Sequence, residues 1–270
     1  DATRDNQGFL MNRQKDTSCL NLTDDRDSNA SGDYPYVSGD TNPISDMKKF
    51  TMSAWVKTLG PYVEHQGIVQ INDSTSTHAA MYVDSSGALG ASYEYGSGVI
   101  IRSDTANSKV PADTWTHVTA CYMYGTQTAA DDSVGDLLTD SAASFVVDDL
   151  IGARIKNVTD GSYGTITDND ATTVTTTLGS GTDDSFDQND KYIIIKYYVN
   201  GVLEATVTDN ATGFFDEGLN TPGLLIGMAS KSGTERKFDG EIDNVLIYND
   251  ILTTAEVLRN YNAGKGSHRN

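Results

Sequence analysis

The sequence predicts an all-β fold, a two-sheet antiparallel sandwich or jelly roll with one short helix near the C-terminus. Three observations carry that prediction. Apolar and polar residues alternate in short runs along most of the chain, the period-two pattern of half-buried strands. Clusters of Gly, Asn, Asp and Ser separate the runs, as turns between strands require. Near residues 253–264 alone, helix start and stop signals occur at helical spacing.

The elements follow in order. In Phe50–Lys57, Phe50, Met52, Ala54 and Val56 share one face, and Thr51, Ser53, Trp55 and Lys57 the other. Gly67–Ile71 reads as the next strand. Ala79–Val83 and Ala88–Tyr95 flank Asp84-Ser85-Ser86-Gly87, a turn whose glycine can adopt positive φ. Val99–Arg102 and Trp115–Tyr122 are further strands. Lys196–Thr208 reads as a hairpin about Asn200-Gly201, the dipeptide preferred in a two-residue type I′ turn. Leu224–Met228 and Gly240–Tyr248 complete the set. Thr253 and Glu256 have capping-box spacing. Val257, Leu258 and Tyr261 give the helix an apolar side, and Gly264 is placed to end it.

Composition narrows the function classes. The 270 residues include 38 acidic and 19 basic side chains, a formal net charge of −19. A chain this acidic repels phosphate backbones and anionic membranes, which argues against nucleic acid as a partner. No stretch approaches the ~18 apolar residues that span a bilayer. The best run, Tyr192–Val199, is interrupted by Lys196. The sequence starts at Asp1 and shows no signal-like apolar segment, so export is not readable from it. Aromatic residues at 9% suffice for a folded core. Cys19 and Cys121 are compatible with one disulfide or with two independent thiols.

Residues 131–190 differ from the rest. They hold 13 Asp, no Glu, and only Arg154 and Lys156 as basic residues, a net charge of −11. Ile151–Lys156, Tyr163–Thr167 and Thr172–Thr177 are strand-like, and Phe145, Val147, Leu150, Ile155, Val158, Ile166, Val174 and Phe186 are spaced to make a small core. The stretch reads as a compact β insertion, with a long disordered acidic loop as the alternative.

Five segments fall in a recognisable order: Phe50–Lys57, Trp115-Thr116-His117-Val118, Tyr198–Val202, Leu225-Ile226-Gly227 and Phe238–Tyr248. Leu252–Val257 and Asn260–Gly264 close the series. Together they resemble a laminin G-like domain of the concanavalin A-like lectin/glucanase superfamily, over roughly residues 17–124 and 192–264. The resemblance implies a discontinuous jelly-roll domain, residues 1–125 and 191–270, interrupted at a hairpin by an acidic module, residues 126–190. That module is similar to small β modules in structural proteins of tailed bacteriophages. The expected setting is therefore a virion surface or other extracellular location. There the chain would be a decoration, fibre or adhesion protein whose partners are virion or cell-surface proteins, host glycans or further copies of itself. The alternative is a secreted bacterial carbohydrate-binding or adhesion domain.

The superfamily includes glucanases, whose catalytic strand carries Glu-x-Asp-x-Glu or Glu-x-Asp-x-x-Glu, two carboxylates serving as nucleophile and acid/base. Glu241-Ile242-Asp243 begins that pattern, but Val245 and Leu246 occupy the positions of the second Glu. A chain lacking half of a two-carboxylate mechanism is expected not to be an enzyme of this kind. No two of His65, His78, His117 and His268 have metal-ligand spacing. The resemblance implies a calcium site at Asp243, with Asp33, Asp40 and Asn42 as partners from an N-terminal loop, because calcium takes several oxygen ligands. For sugar, Trp55 together with Tyr93 and Tyr95 offers an aromatic platform; the other reading of Trp55 is half-buried packing beneath a loop.

Overall fold

The computed structural model describes residues 20–21, 36–37, 48–60, 65–72, 78–94, 100–129, 137–204, 207–209, 223–231 and 234–269. In chain order its strands are β1 (Leu20–Asn21), β2 (Tyr36–Val37), β3 (Lys49–Thr58), β4 (Gln66–Asn72), β5 (His78–Val83), β6 (Leu89–Glu94) and β7 (Ile100–Thr105). There follow β8 (Thr116–Thr126), β9 (Leu137–Thr139), β10 (Arg154–Asn157), β11 (Tyr163–Asn169), β12 (Thr173–Thr176) and β13 (Lys191–Val199). The last are β14 (Val202–Leu203), β15 (Val207–Asp209), β16 (Gly223–Ile226), β17 (Met228–Lys231), β18 (Thr234–Lys237) and β19 (Gly240–Tyr248), before the helix α1 (Thr254–Gly264).

Two antiparallel sheets make the sandwich. The first runs β1-β19-β3-β8-β13-β10-β11-β12-β9, with β14 paired to β13, and the second runs β15-β7-β6-β5-β4-β16-β2. The predicted inward face of β3 is in place: Phe50, Met52, Ala54 and Val56 are fully buried. They meet Val118, Ala120 and Tyr122 of β8, Ile193, Ile195 and Tyr197 of β13, and the facing residues of β4, β5 and β6. Phe50 stacks on Tyr122 with centroids 4.9 Å apart, and Tyr93 packs against both rings at 5.5 and 5.7 Å.

The turn chemistry follows the sequence. Asn200 and Gly201 both have positive φ, 52° and 79°, as a type I′ turn demands. Gly87 has φ 74°, and Asp84 Oδ1 accepts the N–H groups of Ser86 and Ala88. Two expected strands are divided. The hairpin ends at Leu203, and the chain then leaves to pair β15 with β7 in the other sheet. The run Leu224–Met228 breaks at Gly227, whose φ of 78° separates β16 from β17.

The acidic segment forms strands where they were expected and adds β9. Its strands are not set apart from the first sheet, because β10 hydrogen-bonds along β13 from Arg154↔Ile195 to Asn157↔Tyr192. Phe145, Leu150, Ile155, Ile166, Val174 and Phe186 do form a small core, completed by Met123, Tyr192 and Ile194 from β8 and β13, whereas Val147 is 58% exposed and Val158 packs against the main sandwich core instead. Strand β13 is thus apolar on both faces because both are covered. Ile193, Ile195 and Tyr197 point into the sandwich, Tyr192 and Ile194 into the small core, and Tyr198 towards Leu252 and Val257 beside α1.

One polar side chain interrupts that outer row. Lys196 is fully buried, and its Nζ donates to Asp149 Oδ2 at 2.5 Å and to the Leu252 carbonyl at 3.1 Å. The other oxygen of Asp149 accepts the N–H of Thr254, at the start of α1, at 2.9 Å, where unsatisfied helix N–H groups favour a negative charge. The capping box is formed: Thr253 Oγ1 accepts from Glu256 N–H, and Glu256 Oε2 accepts from Thr253 N–H. Val257 is buried as expected, whereas Leu258 is 44% exposed. Removing one partner of a buried pair strands the other charge, a loss of about 3–5 kcal/mol. Lys196→Met is therefore expected to destabilise by about that amount in urea unfolding, and Lys196→Met/Asp149→Asn to recover part of it.

Candidate functional site

The candidate site begins on the outward face of β3. Trp55 pairs in register with His117 of β8 on one side and Asp243 of β19 on the other, so the three share that face. The C-terminal segment lies across them. His268 stacks on Trp55 with centroids 4.3 Å apart and planes 4° from parallel, and Tyr261 of α1 stacks at 5.6 Å. His268 is fixed at both nitrogens, Nδ1 2.8 Å from the Gly264 carbonyl and Nε2 2.9 Å from Asp243 Oδ2. Trp115 meets its edge at 4.8 Å.

Gly264 has a role other than the expected one. It is the last helical residue, the helix continues into Lys265 with αR geometry, and Gly264 is not among the positive-φ glycines. A Cβ at this position would collide with Trp55 Nε1. The glycine lets the end of α1 lie on the indole, which is why Trp55 is only 3% exposed. The N-terminal side of the arrangement is held by Asn200. Its Oδ1 accepts the N–H of His117 at 3.0 Å, and its own N–H donates to the His117 carbonyl at 2.8 Å. Gly201 beside it packs beneath Leu258 and Tyr261.

These elements enclose a pocket of about 590 Å³. Trp55, Trp115 and Tyr261 line it with aromatic side chains, and Asn200 and Asn262 with amides. Lys265 and Arg269 add positive charge at the rim. Such a lining offers a flat face for stacking and donors and acceptors for hydroxyl groups.

The predicted site residues are distributed differently. Trp55 lies at the pocket, largely buried beneath the C-terminal segment. Tyr93 sits between the sheets against Phe50 and Tyr122 and is 1% exposed, so the structure does not bring it onto a surface with Trp55. Tyr95 lies outside the described residues, as do Asp33, Asp40 and Asn42. Asp243 is part of the site, with its Oδ1 accepting the Asn244 N–H at 2.7 Å and its Oδ2 facing His268. Among the described residues no group of three or more His, Cys, Asp or Glu side chains is placed to hold a metal ion. A bulge follows Asp243, with Asn244 at φ 49°. Beyond it Val245 and Ile247 point into the core, and Glu241 pairs with Lys57 at 3.5 Å. Cys121 is a buried free thiol, and Cys19 is outside the described residues. Sequence reading did not assign Trp115, Asn200, Tyr261, Asn262, Lys265, His268 or Arg269 to a site. The signal for three of them was the run of basic and imidazole side chains, Lys265, His268 and Arg269, just past the helix stop.

His117 lies beneath the pocket. Its Nε2 is 3.0 Å from Ser53 Oγ, and its Nδ1 has no hydrogen-bond partner. Burial, aided by the neighbouring His268, lowers its pKa from 6.5 to about 4. The folded state therefore favours the neutral ring. Its contribution is fully present above pH 6.5 and is lost as pH falls towards 4, a total of about 3 kcal/mol. Urea unfolding between pH 7 and pH 4 is expected to show that slope in the wild type and a shallower one in His117→Gln.

The family model described as the concanavalin A-like lectin/glucanases superfamily, a laminin G-like family, matches residues 30–131 and 151–258. No curated protein sequence matches. Among solved structures, the chain is similar to the CBM40 of the Ruminococcus gnavus IT-sialidase, at 14% identity and TM-score 0.42, over 80% of this chain and 83% of that one. It is similar to a SAP-like pentraxin from Limulus polyphemus, at 14% identity and TM-score 0.37, over 78% and 69%. The binding domain of botulinum neurotoxin DC aligns at 11% identity and TM-score 0.38, over 80% and 36%. The family match spans more than half of the sequence, and the chain belongs to the laminin G-like family of the concanavalin A-like lectin/glucanases superfamily.

Proposed function

We propose that this protein is a non-enzymatic glycan-recognition module displayed on a surface, and that the pocket between Trp115, Tyr261 and Asn262 is where it holds a sugar. The observation that carries the reading is the combination at one opening of a half-buried indole, a tyrosine ring and two amide side chains. Sugar rings present apolar C–H faces and hydroxyl edges, and this set of side chains answers both. Membership of a lectin-type superfamily agrees with it. Val245 and Leu246 in place of a second glutamate support a binding rather than a hydrolytic role. No helix among the described residues is long and apolar enough to cross a membrane. The setting we favour is the virion of a tailed phage, on the resemblance of the acidic segment to phage β modules. Detection of the chain in purified particles tests that setting.

Binding is expected on a glycan array and to be lost in Trp115→Ala and weakened in Asn262→Ala, with the thermal unfolding midpoint of Asn262→Ala unchanged. Wild-type protein that retains no glycan removes the proposal. Calcium binding is a separate proposal, supported by the Asp243 carboxylate, whose side chain is 35% exposed on the closing strand. Millimolar calcium added to metal-stripped protein is expected to raise Tm, and Asp243→Asn to abolish the rise; an unchanged Tm in the wild type ends it.

A further inference from the structure

The pocket carries a charge opposite to that of the chain around it. Acidic side chains outnumber basic ones two to one in the whole protein. Yet none of the acids lines the pocket among the described residues, whereas Lys265 and Arg269 both do, and both are exposed. Lys265 Nζ lies 5.3 Å from the centroid of Tyr261, over one of the aromatic faces of the pocket, a geometry in which the ring steadies the ammonium without neutralising it. Asp243, in register with Trp55 on the same sheet face, is engaged with His268 Nε2. An anion approaching a molecule of net charge −19 is repelled over most of its surface. Here it meets two cations that sit four residues apart in the segment following α1, beside an indole and two amides.

We infer that the pocket takes an acidic saccharide, its anionic group between Lys265 and Arg269 and its ring against Trp115. The inference rests on the glycan reading of the pocket and deepens it. A neutral sugar would use the indole and the amides and leave both cations idle. A carboxylate or sulfate gains charge-assisted hydrogen bonds, and the arginine fork matches two oxygens of either group.

The test is an array of matched oligosaccharides: a neutral series, the same series carrying a uronic acid, and the same series carrying a sulfate. The wild type is expected to retain at least one acidic series about ten-fold more tightly than the neutral one, with the preference falling as salt rises. Comparison of the two acidic series identifies the group. The double variant Lys265→Gln/Arg269→Gln is expected to lose the preference, its retention of the acidic series falling to that of its own neutral series. Equal retention of neutral and acidic series, or a preference that survives in the double variant, overturns the acidic ligand while glycan recognition stands. Undiminished retention of an acidic series by Trp115→Ala shows the cations acting without the pocket and also overturns it. Retention of no series by the wild type removes both this inference and the reading beneath it.

Discussion

The structure is organised around one buried charge. Lys196 sits on a central strand where no water reaches it, and an ammonium group survives there only if it is paired and hydrogen-bonded. The acidic segment supplies Asp149, the approach to the helix supplies the Leu252 carbonyl, and Asp149 in turn holds the first turn of α1 through Thr254. Three stretches distant in sequence are thereby tied to one point. The acidic segment cannot be repositioned without removing the carboxylate partner of Lys196, and α1 cannot move without releasing Asp149.

The pocket inherits this arrangement. It is built from the far end of α1, so the anchor at Thr254 and the close approach of Gly264 to Trp55 together decide where Tyr261, Lys265 and His268 stand. The opposite wall, Trp115 and Asn200, is set by the sheet, through the double hydrogen bond between Asn200 and His117. One wall therefore belongs to the sandwich core and the other to a helix docked on its outside. The chemistry at their meeting depends on both.

Much of the fold was legible because local rules and the global structure agree. The alternation in Phe50–Val56, the Asn200-Gly201 turn and the Thr253/Glu256 box each act over a few residues and meet no competing demand. The site was less legible, because alternation assigns residues to two faces without saying what covers either. Trp55 was separated correctly from Met52 and Ala54, but nothing within β3 announces that a segment two hundred residues later lies on it. Tyr93 shows the complementary difficulty: its alternation assigns it to a face, and only the packing of the second sheet decides that its ring joins Phe50 and Tyr122. The run Tyr192–Val199 did hold a clue, since a strand apolar at nearly every position is one covered on both sides. Gly264 read as a helix stop, because a short sequence cannot distinguish a glycine needed for positive φ from one needed for close approach.

The placement of the acidic segment also governs how the chain can reach this structure. Strands β8 and β13 are central neighbours, joined in register from Lys191↔Thr126 to Val199↔Val118, yet everything from Gln127 to Asp190 lies between them. Closing a flexible loop of that length in place of a two-residue turn spans five doublings, about 3 kcal/mol of added chain entropy. That cost falls if the intervening strands collapse first, since β10 lies against β13 and brings the two ends together. A chain that forms the acidic segment first therefore closes the β8–β13 pair at a smaller loss of chain entropy.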